Sequence, residues 1–442
     1  PGRLGATSPM QTSFSETQLA DPAMRESEKI VRKCVHCGFC TATCPTYALL
    51  GDELDSPRGR IYLMKDMLEN ERAPTPEVVK HIDRCLSCNS CMTTCPSGVH
   101  YAHLVDHARA YIHEHYRRPL HERLIRNVLA FVMPSTGRFR IALELGALAR
   151  PLAPLFDKAN WSRPLGAMLR LVPKRLAPKT SAQPQPVAGA KRGRVALLQG
   201  CVEPVLRPEI REATLRLLAR ANYDVVFARG ETCCGSLKHH MGLEDDSKDS
   251  IRRNVDAWTR EIESGGLDAI ISTASGCGAT IKDYGFILRD DPAYAEKARR
   301  VSALAKDITE FLAEAELPQV QPRALKVGYH AACSLQHGQK VTKAPVDLLK
   351  AAGFQVAIPA EAHLCCGSAG IYNIVQSEIA DQLRDRKVQN LERLQPDVIA
   401  AGNIGCTVQI GSGAKTPVVH IVELLDWASG GPTPNALSDK FH

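Results

Sequence analysis

The sequence predicts a multidomain protein in which a small all-helical domain precedes two copies of an α/β domain. Three observations carry that expectation. At 442 residues the chain is long for a single core, so two or three domains are expected. Its 16 cysteines divide into eight before residue 100 and eight after residue 200, with none between. The second half also repeats itself at a period of about 130 residues, too long for a solenoid and fitting a duplicated domain.

The expected divisions follow from these breaks. Residues 1–9, ahead of Met10, read as a cloning scar, and 10–116 as the helical domain. Residues 117–193 form a basic connector with a linker, and 194–322 and 323–442 form the duplicated pair. Aromatic residues make up only 5% of the chain, which argues against a stacking platform for nucleic acid. No run of 18 apolar residues offers a membrane span, and no secretory leader layout is seen, so a cytoplasmic location is expected. In that reducing compartment clustered thiols hold metal rather than form disulfides.

The N-terminal cysteines form two runs of one pattern. Cys34, Cys37, Cys40 and Cys44-Pro45 make the first, and Cys85, Cys88, Cys91 and Cys95-Pro96 the second. Three thiolates spaced by two residues wrap one face of a cubane, while the fourth begins the next helix and points away, its proline suiting the helix start. In two-cluster ferredoxins that fourth cysteine serves the other cluster. The expected sets are therefore Cys34, Cys37, Cys40 and Cys95 for one [4Fe–4S] cluster, and Cys44, Cys85, Cys88 and Cys91 for a second. Zinc sites use two separated ligand pairs per ion, a pattern these runs fit poorly. Between the runs, Arg58 to Leu68 carries apolar residues at helical spacing. That helical insert resembles the α-helical ferredoxin domain of succinate dehydrogenase iron–sulfur subunits. Arg58 and Arg60 are placed to offset cluster charge, or else to serve as ordinary solvated or capping arginines.

The connector, residues 117–179, holds ten Arg and three Lys against Glu122, Glu144 and Asp157. The rest of the chain nets −3 against a total of +7, so the basic character belongs to this segment. Two stretches, Leu124–Val132 and Leu165–Val172, read as cationic amphipathic helices. Such helices suit an anionic membrane surface or an acidic partner better than plain packing with arginines outward. No nucleic-acid motif accompanies them. Ser181–Gly193, rich in Pro, Ala and Gln, reads as a flexible linker.

The duplicated half places Cys201 32 positions before Cys233, in Cys233-Cys234-Gly235, and Cys333 32 positions before Cys365, in Cys365-Cys366-Gly367. Cys277 and Cys406 close the two units. Strands are expected at 195–198, 224–228 and 269–272, and at 325–329, 355–358 and 397–400, with helices at 209–221 and 344–352. Every cysteine then follows a strand end, where the loops of an open α/β sheet build sites. The glycine after each Cys-Cys pair permits a turn that brings both thiols to one centre. Candidate metal sets are Cys201, Cys233, Cys234 and Cys277, then Cys333, Cys365, Cys366 and Cys406. His36, His330 and His363 lie near cysteines and are given no role.

These motifs make the second half resemble the CCG cysteine-rich domain pair of heterodisulfide reductase, anaerobic glycerol-3-phosphate dehydrogenase and lactate-utilisation subunits. The whole chain from Met10 resembles the iron–sulfur subunits of bacterial glycolate oxidase (glycolate dehydrogenase). The stretch from Lys33 to Tyr47 and that from Asp55 to Ile61 tilt it that way. One departure stands out. The fullest CCG motif closes with a Cys-x-x-Cys, and Ala274 and Asn403 occupy the first of those positions, leaving four thiols per unit. Four thiols suit a further iron–sulfur cluster, a zinc ion, or thiol redox chemistry.

The resemblance implies an oxidoreductase whose FAD-containing subunits oxidise glycolate to glyoxylate, with this chain as the electron-transfer subunit. The chain itself has no GxGxxG run for a flavin or nicotinamide fold. A quinone and a peripheral membrane surface on the inner face of the cytoplasmic membrane are candidate partners; nucleic acid is not. The alternatives are the same relay for glycerol-3-phosphate, D-lactate or another 2-hydroxyacid, a catalytic CCG subunit that reduces a disulfide, and zinc-stabilised docking domains.

Overall fold

The computed structural model describes residues 10–440 apart from 158, 160, 180, 185, 186, 188, 189, 316–319 and 322. Residues 1–9, expected to be a scar, and parts of the expected linker lie outside the described residues.

Residues 10–116 fold as helices alone. The main ones are Pro22–Arg32, Pro45–Leu50, Pro57–Glu69, Pro76–Asp83 and Tyr101–His115. Four open on a proline, whose missing N–H costs nothing at a helix start. Asp21, Ser56 and Thr75 cap three of these four by accepting from the backbone N–H of Ala23, Gly59 and Val78. Ile30, Met64, Leu68, Ile82, Leu104 and Ile112 meet in one buried core beneath the cysteine loops. The first run behaves as expected, with Cys44 at the N-cap of Pro45–Leu50. The second differs. Cys95 ends the helix Ser90–Thr94, and Pro96 enters a turn, with the next helix starting only at Tyr101. Two residues beyond Pro96, Gly98 takes a left-handed conformation (φ +65°), so the chain turns there instead of coiling.

The connector folds as a series of helices punctuated by its prolines: Leu120–Val132, Thr136–Ala149, Ala153–Phe156 and Arg163–Leu171. Leu129 and Ala130 pack with Met241, Ile371 and Ile374, so this segment touches both halves of the duplication. Arg118 and Arg126 hold it to the helical domain through Asp83. Its outer side stays apolar. Leu120, Leu124, Val128 and Phe131, then Ile141, Leu145, Leu148, Leu152 and Leu155, are all exposed, Leu148 to 81%.

Each remaining unit is a four-stranded parallel sheet flanked by helices. The first contains β1 (Gly193–Leu197), β2 (Tyr223–Val226), β3 (Ala269–Ser272) and β4 (Ala305–Asp307), in spatial order β2-β1-β3-β4. The second contains β5 (Lys326–His330), β6 (Gln355–Ala357), β7 (Val398–Ala401) and β8 (Val418–His420), in the same order. Val195 pairs with Val225 and Ala269; Val327 pairs with Val356 and Val398, so the registers correspond. The fourth strands, β4 and β8, were not legible in the sequence. Three residues give no alternation to read, and Ala-Lys-Asp is a poor strand former.

The two units share one core. The helix after the first strand of each packs on the helix after the fourth strand of the other: Pro208–Arg220 on Ile421–Ala428, and Ala344–Ala351 on Ile308–Glu314. Leu217, Leu218, Ile308, Leu349 and Leu424 lie in a single buried cluster that spans both sheets. At its edge Arg216 and Arg220 clamp the buried carboxylate of Asp426. The helical domain rests on both units. Asp106 pairs with His239 and His240 of the first, while Tyr372 of the second donates its hydroxyl to the Arg84 carbonyl at 3.0 Å.

Candidate metal centres

The two cysteine runs of the helical domain share one backbone trick. In Cys34–Cys40, His36 and Gly38 are left-handed; in Cys85–Cys91, Ser87 and Asn89 take those same two places. The two left-handed residues around each middle cysteine turn three side chains inward from a seven-residue loop.

Two cavities result. One, of about 420 Å³ including its open mouth, is lined by Cys34, Cys37, Cys40 and Cys95. The other, of about 320 Å³, is lined by Cys44, Cys85 and Cys88, with Cys91 on the wall of both. Thus the fourth cysteine of each run opens on the cavity of the other run. No carboxylate lines either cavity, and each has an arginine in its wall, Arg58 in the first and Arg60 in the second. Clustered soft sulfur donors without carboxylates suit an iron–sulfur group. Burial pushes the Cys40 thiol up to about 11, and raises Cys88 and Cys91 well beyond the ordinary thiol range. Unliganded thiols here stay protonated, so a bound cation is what makes them thiolates.

The two arginines differ. Arg58 is half exposed and pairs with Glu53. Arg60 is buried, and its guanidinium donates to the His81 carbonyl at 2.7 Å, to Thr46 Oγ1 at 3.0 Å and to Asp55 Oδ1 at 3.2 Å. Asp55, also buried, accepts from Arg84 at 2.7 Å and meets His81 Nδ1 at 2.9 Å. Arg60 thereby stands 3.9 Å from Cys44 Sγ as a fixed cation at the second cavity, which is the stronger of the two readings its sequence allowed.

In the duplicated half every cysteine lies beyond the C-terminal end of a strand. Cys201 follows β1, Cys233 and Cys234 follow β2, and Cys277 follows β3 on the helix Ser275–Lys282. Cys201 and Cys233 sulfurs are 3.7 Å apart, and Cys277 hydrogen-bonds Cys234. Hydrogen bonds from Cys201 and Cys234 hold the Cys233 thiol below its usual range, while their bonds to Cys233 push those two donors up. The second unit repeats the arrangement, with Cys333 to Cys365 at 3.7 Å and Cys366 to Cys406 at 3.3 Å. Gly235 (φ +86°) and Gly367 (φ +89°) make the turns after the paired cysteines, in a conformation only glycine adopts freely.

The surroundings of the two sets diverge. Asn254 sits behind the first turn, donating to the Cys233 carbonyl at 3.1 Å and accepting from the Thr232 N–H at 2.7 Å. Behind the second lies the buried ammonium of Lys387, bonded to the Glu361 carbonyl at 2.8 Å. Cys365 shares a buried cluster with Leu86 and Cys88 of the helical domain, and Cys333 packs against it. The second thiol set therefore abuts the second ferredoxin cavity. His330, to which the sequence assigns no role, lies within 4.8 Å of the Cys366 and Cys406 sulfurs. His36 and His363 are not in that group; burial lowers both below the ordinary imidazole range.

Comparison with known proteins agrees with this layout. Residues 30–99 match the 4Fe-4S dicluster domain family, and residues 195–282 and 327–411 match the cysteine-rich domain family. The glycolate oxidase iron-sulfur subunit of Escherichia coli K12 is 42% identical over 95% of this chain and 99% of its own length. The probable glycolate oxidase iron-sulfur subunit of Bacillus subtilis is 34% identical over 92% of this chain and 96% of its length. Lactate utilization protein A of Bacillus licheniformis is 31% identical over 53% of this chain. A crystal structure of a hypothetical protein from Helicobacter pylori shares the fold, with a TM-score of 0.57 at 10% identity over 97% of this chain and 76% of that one. Among the described residues no helix is long and apolar enough to cross a membrane. With its 4Fe-4S dicluster domain and its two cysteine-rich domains, this electron-transfer chain belongs to the family of glycolate oxidase iron–sulfur subunits.

Proposed function

We propose that this chain is the relay subunit of a flavin-dependent glycolate dehydrogenase, serving an FAD subunit that oxidises glycolate to glyoxylate. The likeness to the Escherichia coli subunit over 95% of this chain supports the substrate, and the two adjoining cysteine-lined cavities support the relay. Cys34, Cys37, Cys40 and Cys95 hold one [4Fe–4S] cluster, and Cys44, Cys85, Cys88 and Cys91 the other. When bound, such clusters take up and release electrons singly. The protein's part is to fix the two cavities against each other, to exclude water from Cys85, Cys88 and Cys91, and to set Arg60 as a buried counter-charge. Cys201, Cys233, Cys234 and Cys277, and Cys333, Cys365, Cys366 and Cys406, form two further metal-binding sets. The working units are 10–116, 117–193, 194–322 and 323–442.

The test uses the complete complex. Cys34→Ala and Cys88→Ala should leave flavin reduction by glycolate intact and abolish electron exit to quinone. Survival of both dye-coupled activity and quinone reduction after cluster loss would overturn the relay. Flavin reduction by D-lactate but not glycolate would move the substrate to another 2-hydroxyacid.

The connector supports docking on an anionic membrane surface, where a quinone is the acceptor. Its exposed apolar residues recur at helical spacing (Leu120, Leu124 and Val128), with Arg117, Arg123 and Arg138 exposed beside them. Apolar insertion plus cationic attraction is what holds an interfacial helix. Vesicles containing anionic lipid should retain the protein at low salt, and Leu124→Asp with Leu145→Asp should release it. Equal binding to neutral vesicles, or no effect of the pair, would count against a membrane.

A further inference from the structure

We infer that His330 is a protein ligand of the second cysteine-rich unit, supplying an imidazole nitrogen beside the thiolates of Cys333, Cys365, Cys366 and Cys406. The inference rests on the reading that these thiols bind metal, and adds to it the ligand that distinguishes this site from its twin. His330 is the last residue of β5, three positions before Cys333. It is 1% exposed, and neither ring nitrogen has a hydrogen-bond partner. A neutral imidazole carries one donor and one acceptor, and buried polar groups of this kind are nearly always satisfied. Among the described residues, the ligand-type atoms grouped with it are the Cys366 and Cys406 sulfurs, all within 4.8 Å of one another. Apolar residues, including Ala332, Leu391 and Ile399, make up the buried cluster around those two cysteines. A buried polar ring without a hydrogen-bond partner, beside two soft sulfur donors and with the Lys387 ammonium near enough to act on it, has the chemistry of a ligand rather than of a packing residue.

The duplication provides an internal control. Three positions before Cys201 the first unit has Leu198, which is buried with Cys233 and Cys234 in an apolar cluster. Strand, thiols and turn correspond, and the nitrogen is present in one copy alone. Cys365 hydrogen-bonds Cys366, and Cys333 lies 3.7 Å from Cys365, so these contacts extend the group from three donors to five, more than the four of a tetrahedral zinc site. The donor set therefore fits an iron–sulfur cluster of mixed sulfur and nitrogen ligation. Replacing thiolate by imidazole raises the reduction potential of such clusters.

The experiment uses the full chain, purified anaerobically with its iron and grown with ¹⁵N-histidine or natural histidine, and followed by pulsed EPR across a redox titration. One species should show a histidine nitrogen coupling that scales with the isotope. His330→Leu should lose it. His330→Cys, which restores a fifth thiol, should keep the iron, lose the coupling and titrate at a lower potential. A coupling that persists in both variants, or the lack of any histidine coupling, overturns the assignment. So does a Cys366→Ser variant that releases zinc rather than iron. Absence of the two ferredoxin signals from the wild type would instead defeat the reading of the N-terminal domain, and the nitrogen coupling would still decide His330.

Discussion

The two cysteine-rich units are built alike and situated differently. Both place four thiols beyond the ends of parallel strands in the order β2-β1-β3-β4 or its equivalent, and both turn on a left-handed glycine. Yet the closing cysteine of the first set, Cys277, is partly open to solvent, whereas its counterpart Cys406 is buried. The chain after Cys201 forms a short α-helix, Glu203–Leu206, while Ser334–Gly338 after Cys333 is π-helical, an irregularity frequent at functional sites. Where Ala274 leaves its helix without a side-chain cap, Asn403 accepts from the Gly405 N–H at 3.1 Å. Duplication preserved the frame, and contact with the ferredoxin cavity at Cys88 separated the two interiors.

The glycine turns give the largest contrast. A Cβ on Gly367 would stand 2.6 Å from the Ala380 carbonyl oxygen, which is backbone and cannot yield. On Gly235 it would meet Ile251 and Ser247 at 3.1 Å, contacts that a small shift relieves. Gly367→Ala should cost about 3 kcal/mol or more and Gly235→Ala about 1–2 kcal/mol, read as denaturant midpoints. Equal costs would mean that the second turn is no more tightly enclosed than the first.

The residues behind the turns come next. Asn254→Ala removes the partners of two buried backbone groups and should destabilise by about 1–3 kcal/mol with or without metal. Lys387→Met also strips a carbonyl of its donor, but removes a buried ammonium as well, so its cost should be smaller in metal-free protein. In metal-loaded protein, where an anionic thiolate set faces that ammonium, the Lys387 variant should become the more damaging one. Identical behaviour in the two states would show that the second set carries no net charge.

The smallest expected effect concerns seating on the helical domain. Burial pushes His239 down, but the Asp106 carboxylate outweighs it and holds the imidazole above its ordinary range. A histidine raised in the folded state contributes stability that is full below about 6.5 and lost as pH rises through the folded value. Hydrogen exchange at Tyr101–His115 should therefore quicken on the first unit's side above about pH 6.5. The second unit's contact, Tyr372 to the Arg84 carbonyl, should hold through the same range, because burial raises that phenol well beyond it. Parallel loosening of both contacts would break the distinction.

Much of this architecture is legible in the sequence because cysteine spacing is a rigid requirement. The two runs and the period of the duplication follow from residues whose identity the chemistry dictates, and six of the eight strands from the apolar stretches around those cysteines. What escaped reading depends on distance in space. Pro96 looks like Pro45 in sequence, but the chain turns at Gly98. Arg60 and Arg58 are two residues apart and equally basic, and only the fold buries one against Cys44. His330 was visible, and a register of one repeat on the other would have marked it, since Leu198 is its counterpart. Its missing partners could not be read, because hydrogen bonding is a property of the packed interior.

The reciprocal helix packing between the units also bears on how the chain is made. Pro208–Arg220 lies against Ile421–Ala428, so an apolar face formed early in synthesis waits some 200 residues for its cover. From β4 onward, roughly the last hundred residues of that interval, the first sheet is complete while half of its shared core is bare. A pause in translation, or loss of the last long helix, exposes the same surface. This is a protein whose early half is committed to its late half before the late half exists.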